Sequence, residues 1–205
     1  QSVFDRIEKH LILDFKPKSS LDFGCGTGRL SLALAKRSSR VIGLDVSADM
    51  LKEAKKNGEK YGLNNVEFRL SDDSLSQIDG EAFDFINSYI VLQHINVERG
   101  MKIIDKMLGL LNPGGIGALQ ITYSSNKLKT NKIATYFRYR IPLVHKALNG
   151  LRGVPLSTPL MQMNLYSMNS VLHLLQQNGV QNTQLQFEDH GDYWSAHMIF
   201  QKMAL

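Results

Sequence analysis

The chain has 205 residues and a net charge of +5, from 24 basic and 19 acidic side chains. Hydrophobic residues make up 43% and charged residues 21%, which is ordinary for a globular domain and excludes collagen, coiled coil and a wholly disordered chain. This length suffices for one domain with a sizeable core and is short for two. No apolar run approaches the roughly 20 residues that a membrane span needs. The single cysteine, Cys25, excludes an internal disulfide and predicts a reducing, cytoplasmic location.

Short apolar runs alternate with helical patterns over the first 123 residues. Five strands are predicted: Ser20–Cys25, Arg40–Val46, Val66–Leu70, Phe83–Ser88 and Ile116–Tyr123. Four helices are predicted: an outer amphipathic helix over Val3–Phe15, then Arg29–Arg37, Ala48–Tyr61 with Ser47 as its N-cap, and Val97–Leu111. Strands that alternate with helices indicate a mostly parallel sheet with both faces covered.

The pattern changes after residue 123. Residues 124–165 contain three prolines and scattered aromatics, which predicts a variable helical cap inserted into the domain. A helix over Ser167–Gln177 follows, and the alternating segments Gln181–Asp189 and Tyr193–Met203 predict an antiparallel hairpin. We therefore expect a single α/β domain over residues 1–205. Its sheet is predicted to be doubly wound, Rossmann-like and seven-stranded, mostly parallel with an antiparallel C-terminal strand.

The most specific segment is Asp22-Phe23-Gly24-Cys25-Gly26-Thr27-Gly28, between a predicted strand and a predicted helix. Glycines there permit a tight turn and let a ligand approach the backbone. A dinucleotide fingerprint would place its third glycine at position 29, where this chain has Arg29. No Gly-Lys-Ser/Thr follows the turn either, so a phosphate-binding P-loop is absent. The turn therefore predicts a ligand that is not held by a pyrophosphate.

Two carboxylates follow at successive predicted strand ends. Asp45 ends the second strand, where a carboxylate can accept hydrogen bonds from both hydroxyls of a ribose. Asp72 follows the third strand and could accept a hydrogen bond from an adenine amino group. Either one alone would be an ordinary loop carboxylate. Together with the glycine turn they predict a nucleoside pocket at the carboxyl edge of the sheet.

These residues resemble the class I methyltransferases that use S-adenosylmethionine. The resemblance covers about residues 21–121 and rests on five ordered matches: Asp22-Phe23-Gly24-Cys25-Gly26-Thr27-Gly28 for the family's D/E-x-G-x-G-x-G, Gly43–Leu51, Ser71-Asp72-Asp73, Phe83–Ile95 and Leu111-Asn112-Pro113-Gly114-Gly115. It implies a Rossmann-like fold, S-adenosylmethionine as cofactor and methyl transfer as the reaction.

The resemblance also assigns roles to individual positions. It implies that Asp45 holds the ribose, that Asp72 holds the adenine, and that Val46 and Met50 flank the adenine ring. The backbone of Asn87 or Ser88 would line the methionine end of the cofactor. The predicted cofactor-binding residues are Asp22, Gly24, Cys25, Gly26, Gly28, Asp45, Val46, Met50, Asp72, Asp73, Asn87 and Ser88.

Methyl transfer from a sulfonium is an in-line displacement with an excellent leaving group, so it requires neither a metal nor a covalent nucleophile. We therefore interpret Cys25 as a small residue near the cofactor. The sequence has no cluster of Cys and His residues with the spacing of a zinc site. An oxygen acceptor benefits from a general base. The candidates are His94, after the fourth strand, and Tyr123, at the end of the fifth. His190 and His197 are interpreted as structural.

The acceptor is the least constrained prediction. No Asp or Glu occurs between Lys106 and Phe187, while Lys and Arg recur with aromatics through residues 124–165. Three interpretations stay open: a solvated lid, a cap that recognises an acidic or phosphorylated acceptor, or a surface that rests on anionic lipid. No RNA-binding motif accompanies the basic residues, so nucleic acid is disfavoured.

We predict a small-molecule oxygen acceptor, such as a sugar, lipid, quinone or natural product. The alternatives are methylation of RNA or protein, and a catalytically idle subunit that binds S-adenosylmethionine for regulation. Fold alone does not choose among them, and the sequence predicts no oligomeric state.

Overall fold

The computed structural model describes residues 3–10, 15–126 and 163–204. Its strands are β1 Ser19–Phe23, β2 Arg40–Asp45, β3 Val66–Leu70, β4 Phe83–Ser88, β5 Leu111–Ser125, β6 Val180–Asp189 and β7 Tyr193–Lys202. They form one seven-stranded sheet in the order β3-β2-β1-β4-β5-β7-β6. Strands β1 to β5 pair in parallel, and β7 pairs antiparallel with both β5 and β6. The predicted fold class is confirmed.

The order of the strands places the site. From β1 the chain moves outward through β2 to β3, and then returns to the other side of β1 to form β4. The direction of winding therefore reverses between β1 and β4. In open α/β sheets the crevice outside the carboxyl ends of the strands at such a reversal is where ligands bind.

Within the described ranges, five α-helices cover the sheet: α1 Val3–His10, α2 Arg29–Ala35, α3 Ala48–Lys60, α4 Val97–Leu110 and α5 Met168–Gln177. On one face, Ile7 of α1 and Leu34 of α2 pack in a cluster with Phe85, Ile116 and Ile199. On the other face, Ile103 and Met107 of α4 and Leu175 of α5 pack with residues of the same strands: Phe83, Ile86, Leu119, Ile121, Met198 and Phe200. Alternation along each strand thus supplies two separate cores.

The helix that follows β2 shows how local chemistry fixes an element beside the site. Ser47 Oγ accepts a hydrogen bond from the Met50 amide at 3.3 Å, as an N-cap does. Asp49 lies in the first turn and Lys60 in the last, and both charges oppose the helix dipole. The predicted N-cap at Ser47 is therefore confirmed, and α3 begins directly after Asp45.

Two predicted element boundaries differ from the observed ones by more than two residues, while the others agree within two. Strand β5 begins at Leu111 rather than Ile116, because Leu111 pairs with Phe83 across an irregularity in the β4–β5 register. The first helix does not reach Phe15, which is outside α1 and packs its ring 6.0 Å from that of Phe85.

The predicted cap over residues 124–165 lies largely outside the described residues. Of that segment the structure describes only 124–126 and 163–165. Across the described ranges, no helix is both long and apolar enough to cross a bilayer.

Candidate active site

The glycine turn joins β1 to α2 in a conformation that requires glycine. Gly24, Gly26 and Gly28 have φ angles of +74°, +54° and +82°, in the left-handed region that other residues rarely adopt. The amides of Gly24 and Cys25 both donate to the Leu44 carbonyl, at 2.8 and 2.9 Å, which anchors the turn to β2. A Cβ on Gly24 would lie 2.3 Å from Val91 Cγ2, whereas a Cβ on Gly26 would meet no atom within 4 Å. Gly26 therefore borders open space.

Asp45 connects this turn to the start of α3. Its Oδ2 accepts from the Gly26 amide at 2.8 Å, and its Oδ1 accepts from the Ser47 amide at 2.9 Å. The two bonds fix the orientation of the carboxylate. Because each carboxylate oxygen can accept two hydrogen bonds, each retains a lone pair. The carboxylate is therefore held ready to accept from two hydroxyls.

Asp22 lies beneath the turn rather than in front of it. Its side chain is 2% exposed, with Ser31 Oγ donating to Oδ2 at 2.6 Å and the Asn87 amide donating to Oδ1 at 2.8 Å. Burial outweighs these two bonds and raises the pKa of Asp22 above its usual range. Asp22 thus ties β1 to α2 and β4, and a direct contact between its side chain and the cofactor stays a prediction.

The thiol of Cys25 faces the apolar cluster between the sheet and α3. It packs with Leu32, Leu51, Ala54 and Phe68. Burial, and then the negative charges of Asp22 and Asp45, raise the pKa of the Cys25 thiol far above its usual value. The thiolate is therefore disfavoured, which agrees with the interpretation of Cys25 as a small residue rather than a nucleophile.

A cleft of about 630 Å³ opens at the carboxyl ends of β1, β2 and β3. Asp45 and Asp72 both line it, as does Val46. Val46 is 76% exposed, and Ile90, which also lines the cleft, is 40% exposed. Exposed apolar surface next to oriented carboxylates suits a ligand with a flat ring and a polar sugar.

Asp72 fixes the loop after β3 through several hydrogen bonds to its carboxylate. The Asp72 carboxylate accepts hydrogen bonds from Ser74 Oγ, from both the amide and the Oγ of Ser76, and from the Gln77 side chain. These donors hold the pKa of Asp72 well below its usual value. Its neighbour Asp73 pairs with Arg99 of α4 across the cleft wall. Asp72 lies where the prediction requires, but its lone pairs are already engaged, so its adenine contact stays a prediction.

The segment after β4 carries backbone strain at the cleft. Ile90 has a φ of +60°, which is unusual for a β-branched residue. Its amide donates to Gln120 Oε1 at 3.1 Å, and the next residue, Val91, packs against Gly24. A short 3-10 helix over Leu92–His94 then places His94 on the cleft wall. Sequence patterns offer no signal for the strained residue.

The other predicted residues do not line this cleft: Asp22, Cys25, Gly26, Gly28, Met50, Asn87, Ser88 and Tyr123. Ser88 is fully buried and Asn87 is 4% exposed. Tyr123 is on the α4 side of the sheet, where its ring meets that of Phe187 edge-on at 5.9 Å. Of the two predicted bases, the structure thus places His94 beside the candidate site and Tyr123 away from it.

His197, on β7, is interpreted above as structural, and its environment makes that interpretation testable. Its side chain is buried, 3% exposed, and its ring centroid lies 5.5 Å from that of Tyr89. Burial, and secondarily the positive charge of Arg6, lower the pKa of His197 from 6.5 to about 4. The imidazole is therefore neutral at pH 7.

This lowered pKa predicts an acid-sensitive fold. Between pH 6.5 and about 4 the unfolded chain binds a proton at His197 that the folded chain does not bind. Stability should therefore be complete above pH 6.5 and fall by up to about 3 kcal/mol as the pH drops to 4. The free energy of unfolding, measured by urea denaturation at several pH values in this range, should fall less steeply with decreasing pH for His197→Gln than for the parent chain. Identical slopes would contradict the prediction.

Comparison with known proteins identifies the domain. Residues 21–115 match the family model described as a methyltransferase domain. A ubiquinone biosynthesis O-methyltransferase of Coxiella burnetii is 36% identical over 109 residues, which are 53% of this chain and 44% of that protein. A demethylmenaquinone methyltransferase of Bacillus cereus is 30% identical over 146 residues, 69% of this chain and 61% of that protein. The chain thus spans about half the length of the curated relatives it matches.

Solved structures agree on the fold. A methyltransferase structure from Methanosarcina mazei superposes with a TM-score of 0.69 over 100% of both chains, at 20% identity. Magnesium protoporphyrin IX methyltransferase from Synechocystis PCC 6803, solved with S-adenosylhomocysteine bound, has a TM-score of 0.67 and 21% identity over 97% of this chain and 81% of that one. Residues 21–115 therefore form a methyltransferase domain, and the chain has the fold of these class I S-adenosylmethionine-dependent methyltransferase structures.

Proposed function

We propose that the protein transfers a methyl group from S-adenosylmethionine to an oxygen of a small molecule. The observation that carries the proposal is the Asp45 carboxylate, which is fixed by the amides of Gly26 and Ser47 and still has two free lone pairs beside a cleft of nucleoside size. A carboxylate in this place accepts hydrogen bonds from both ribose hydroxyls. The open space in front of Gly26 allows the ligand to approach the backbone.

The remaining cofactor contacts follow from the same cleft. Val46 and Ile90 line it and offer apolar surface to the adenine ring. Met50, which is exposed in the first turn of α3, is proposed to flank the ring from outside the cleft wall. Asp72 and Asp73 border the same end of the cleft and would position the loop against the ring. At the opposite end, the backbone around Asn87 and Ser88 would hold the methionine part. Gly24, Cys25 and Gly28 complete the turn under the ligand.

The chain's contribution to the chemistry is alignment and removal of a proton. When bound, S-adenosylmethionine supplies a methyl group on a positively charged sulfur. Holding the acceptor in line with that carbon can supply roughly 7–11 kcal/mol of the barrier reduction. A general base adds about 10²–10⁴-fold by taking the proton that the acceptor oxygen loses as its bond to carbon forms. We assign this base role to His94 before Tyr123, because His94 lines the cleft.

Two of the relatives support a small-molecule acceptor, since their names concern ubiquinone and demethylmenaquinone. We propose that the basic segment 124–165 forms a cap that selects the acceptor and favours acidic or phosphorylated molecules. Methylation of RNA or protein, and a catalytically idle cofactor-binding subunit, are the alternatives. A screen for transfer of a labelled methyl group to metabolite pools and to RNA separates them, because an idle subunit transfers to neither.

The cofactor assignment has a direct test. We expect S-adenosylhomocysteine to raise the melting temperature of the chain by several degrees, because ligand that binds only the folded state stabilises it by mass action. NAD should leave the melting temperature unchanged, since the turn lacks the dinucleotide spacing at position 29. A differential scanning measurement with each ligand at equal concentration decides the matter. Stabilisation by NAD alone would overturn the proposed function.

A further inference from the structure

A second cavity, of about 320 Å³, lies on the opposite side of the glycine turn from the nucleoside cleft. It is enclosed between α1 and α2 on one side and β4, β7 and β6 on the other. Asn87, whose amide bonds to Asp22, lines it, and so does Arg29, which follows Gly28 directly. The cavity therefore adjoins the end of the site to which the proposed function assigns the methionine part of the cofactor.

The polar wall of this cavity contains buried atoms that have no hydrogen-bond partner in the described part of the chain. Arg6 is 5% exposed, and only its Nη1 is engaged, by Gln186 Oε1. Its Nε and Nη2 have no partner, and neither has Nε2 of His197, which is 3% exposed. Leaving a buried charged donor unsatisfied is costly. Glu188 Oε2, in the wall of the same cavity, also has no hydrogen-bond partner in the described part of the chain. Unpaired donors and an unpaired acceptor around one cavity indicate a missing ligand with a group that accepts hydrogen bonds from Arg6 and a group that donates one to Glu188.

The charge of the cavity indicates the kind of group. Arg6 and Arg29 contribute two positive charges, and Glu188 contributes one negative charge. The Glu188 carboxylate interacts electrostatically with Arg6, and its Oε1 lies 3.9 Å from Nδ1 of the neutral His197 imidazole. The three charged groups together leave one positive charge in excess, which a bound anion would balance through charge-assisted hydrogen bonds.

The remaining wall is apolar and aromatic. Phe4, Leu34, Phe85 and Tyr89 contribute to it, and the rings of Phe4 and Phe85 lie 5.5 Å apart. A cavity of this volume accommodates a molecule of about one ring. The aromatic wall suits an apolar body, and the Arg6 guanidinium suits a planar oxyanion such as a carboxylate.

We propose that this cavity is the acceptor site and that it takes a small molecule with an apolar, ring-sized body and an oxyanion that pairs with Arg6. The inference rests on the proposed methyl transfer and specifies its substrate class as small organic acids. Every residue named for it lies on α1, α2, β4, β6 or β7 or directly after β4, so the inference keeps the proposed methyl transfer but replaces His94 and the segment 124–165 as the groups proposed to contact the acceptor.

Benzoate and its neutral isostere benzamide test the proposal on the full chain saturated with S-adenosylhomocysteine. By NMR titration, benzoate should bind at least about tenfold more tightly than benzamide, because a charge-assisted pair contributes about that factor or more. Arg6→Gln should reduce the ratio to near one. Glu188→Gln should raise benzoate affinity several-fold, since it removes the opposing charge while keeping the shape. This gain of binding does not depend on whether Arg6→Gln folds well.

Arg40→Gln is the control, because Arg40 is an exposed arginine that pairs with Glu81 and does not line the cavity. It should leave benzoate binding unchanged. Equal binding of benzoate and benzamide, or weaker benzoate binding by Glu188→Gln, would overturn the proposal. A tenfold loss of S-adenosylhomocysteine affinity in Arg6→Gln would also overturn it, by assigning Arg6 to the carboxylate of the cofactor. Failure of the parent chain to bind S-adenosylhomocysteine would instead refute the proposed function.

Discussion

Replacing Asp45 by alanine is expected to weaken binding of S-adenosylhomocysteine at least tenfold while leaving the chain folded. The change removes the proposed bonds to both ribose hydroxyls, each charge-assisted and together contributing about 1.5–3 kcal/mol or more. It also removes the bonds that hold the amides of Gly26 and Ser47 in place. Isothermal titration calorimetry on both chains measures the difference.

Asp49→Ala is the matched control for this measurement. Asp49 is an exposed aspartate in the first turn of α3, four residues after Asp45, and does not line the cleft. Its removal should cost only about 0.3–1 kcal/mol of stability through the helix dipole, with cofactor affinity unchanged. Equal affinities of Asp45→Ala and the parent chain would remove Asp45 from the site.

Alanine substitutions at two glycines of the turn are expected to separate stability from binding. Gly24→Ala places a Cβ 2.3 Å from Val91 Cγ2 and adds strain at a φ of +74°. We expect it to destabilise the fold by about 3 kcal/mol or more, from overpacking and backbone strain together. Gly26→Ala adds a Cβ in open space at a φ of +54°, so only the strain of about 1–2 kcal/mol remains.

Ligand affinity should respond differently from stability: Gly26→Ala, the less destabilised of the two variants, should still lose affinity for the ligand. Gly26→Ala is expected to melt only a few degrees below the parent chain, yet to bind S-adenosylhomocysteine at least tenfold more weakly, because its methyl group occupies the space that the ligand would enter. Thermal melts with and without ligand measure both quantities. Full ligand stabilisation of Gly26→Ala would mean that the ligand does not approach the turn at that position.

The fold, the glycine turn and Asp45 could be predicted from the sequence because they depend on local chemistry. The glycine turn needs residues without side chains, the α3 N-cap at Ser47 needs a hydroxyl, and parallel strands need apolar runs separated by helices. Each of these leaves a pattern within about ten residues. Asp45 was predictable because it ends a strand directly beside that turn, and parallel strands present their carboxyl ends at one edge.

The surroundings of Asp72 and Tyr123 could not be predicted from local sequence patterns. Both stand at strand ends in the sequence, as the prediction required. Only the structure reveals that Asp72 is engaged by Ser74, Ser76 and Gln77. Likewise, only the structure reveals that Tyr123 packs against Phe187 of β6 and does not line the cleft.

The sequence alone determined the alternation of strands and helices, the conformation of the glycine turn and the carboxylate at the end of β2. The tertiary structure decided that Arg6, near the start of the chain, would meet Glu188 and His197, near its end, in one cavity. More than 180 residues separate Arg6 from Glu188 along the chain. No periodic pattern links positions so far apart, because their meeting depends on how α1 packs across β6 and β7 and on which face each strand presents.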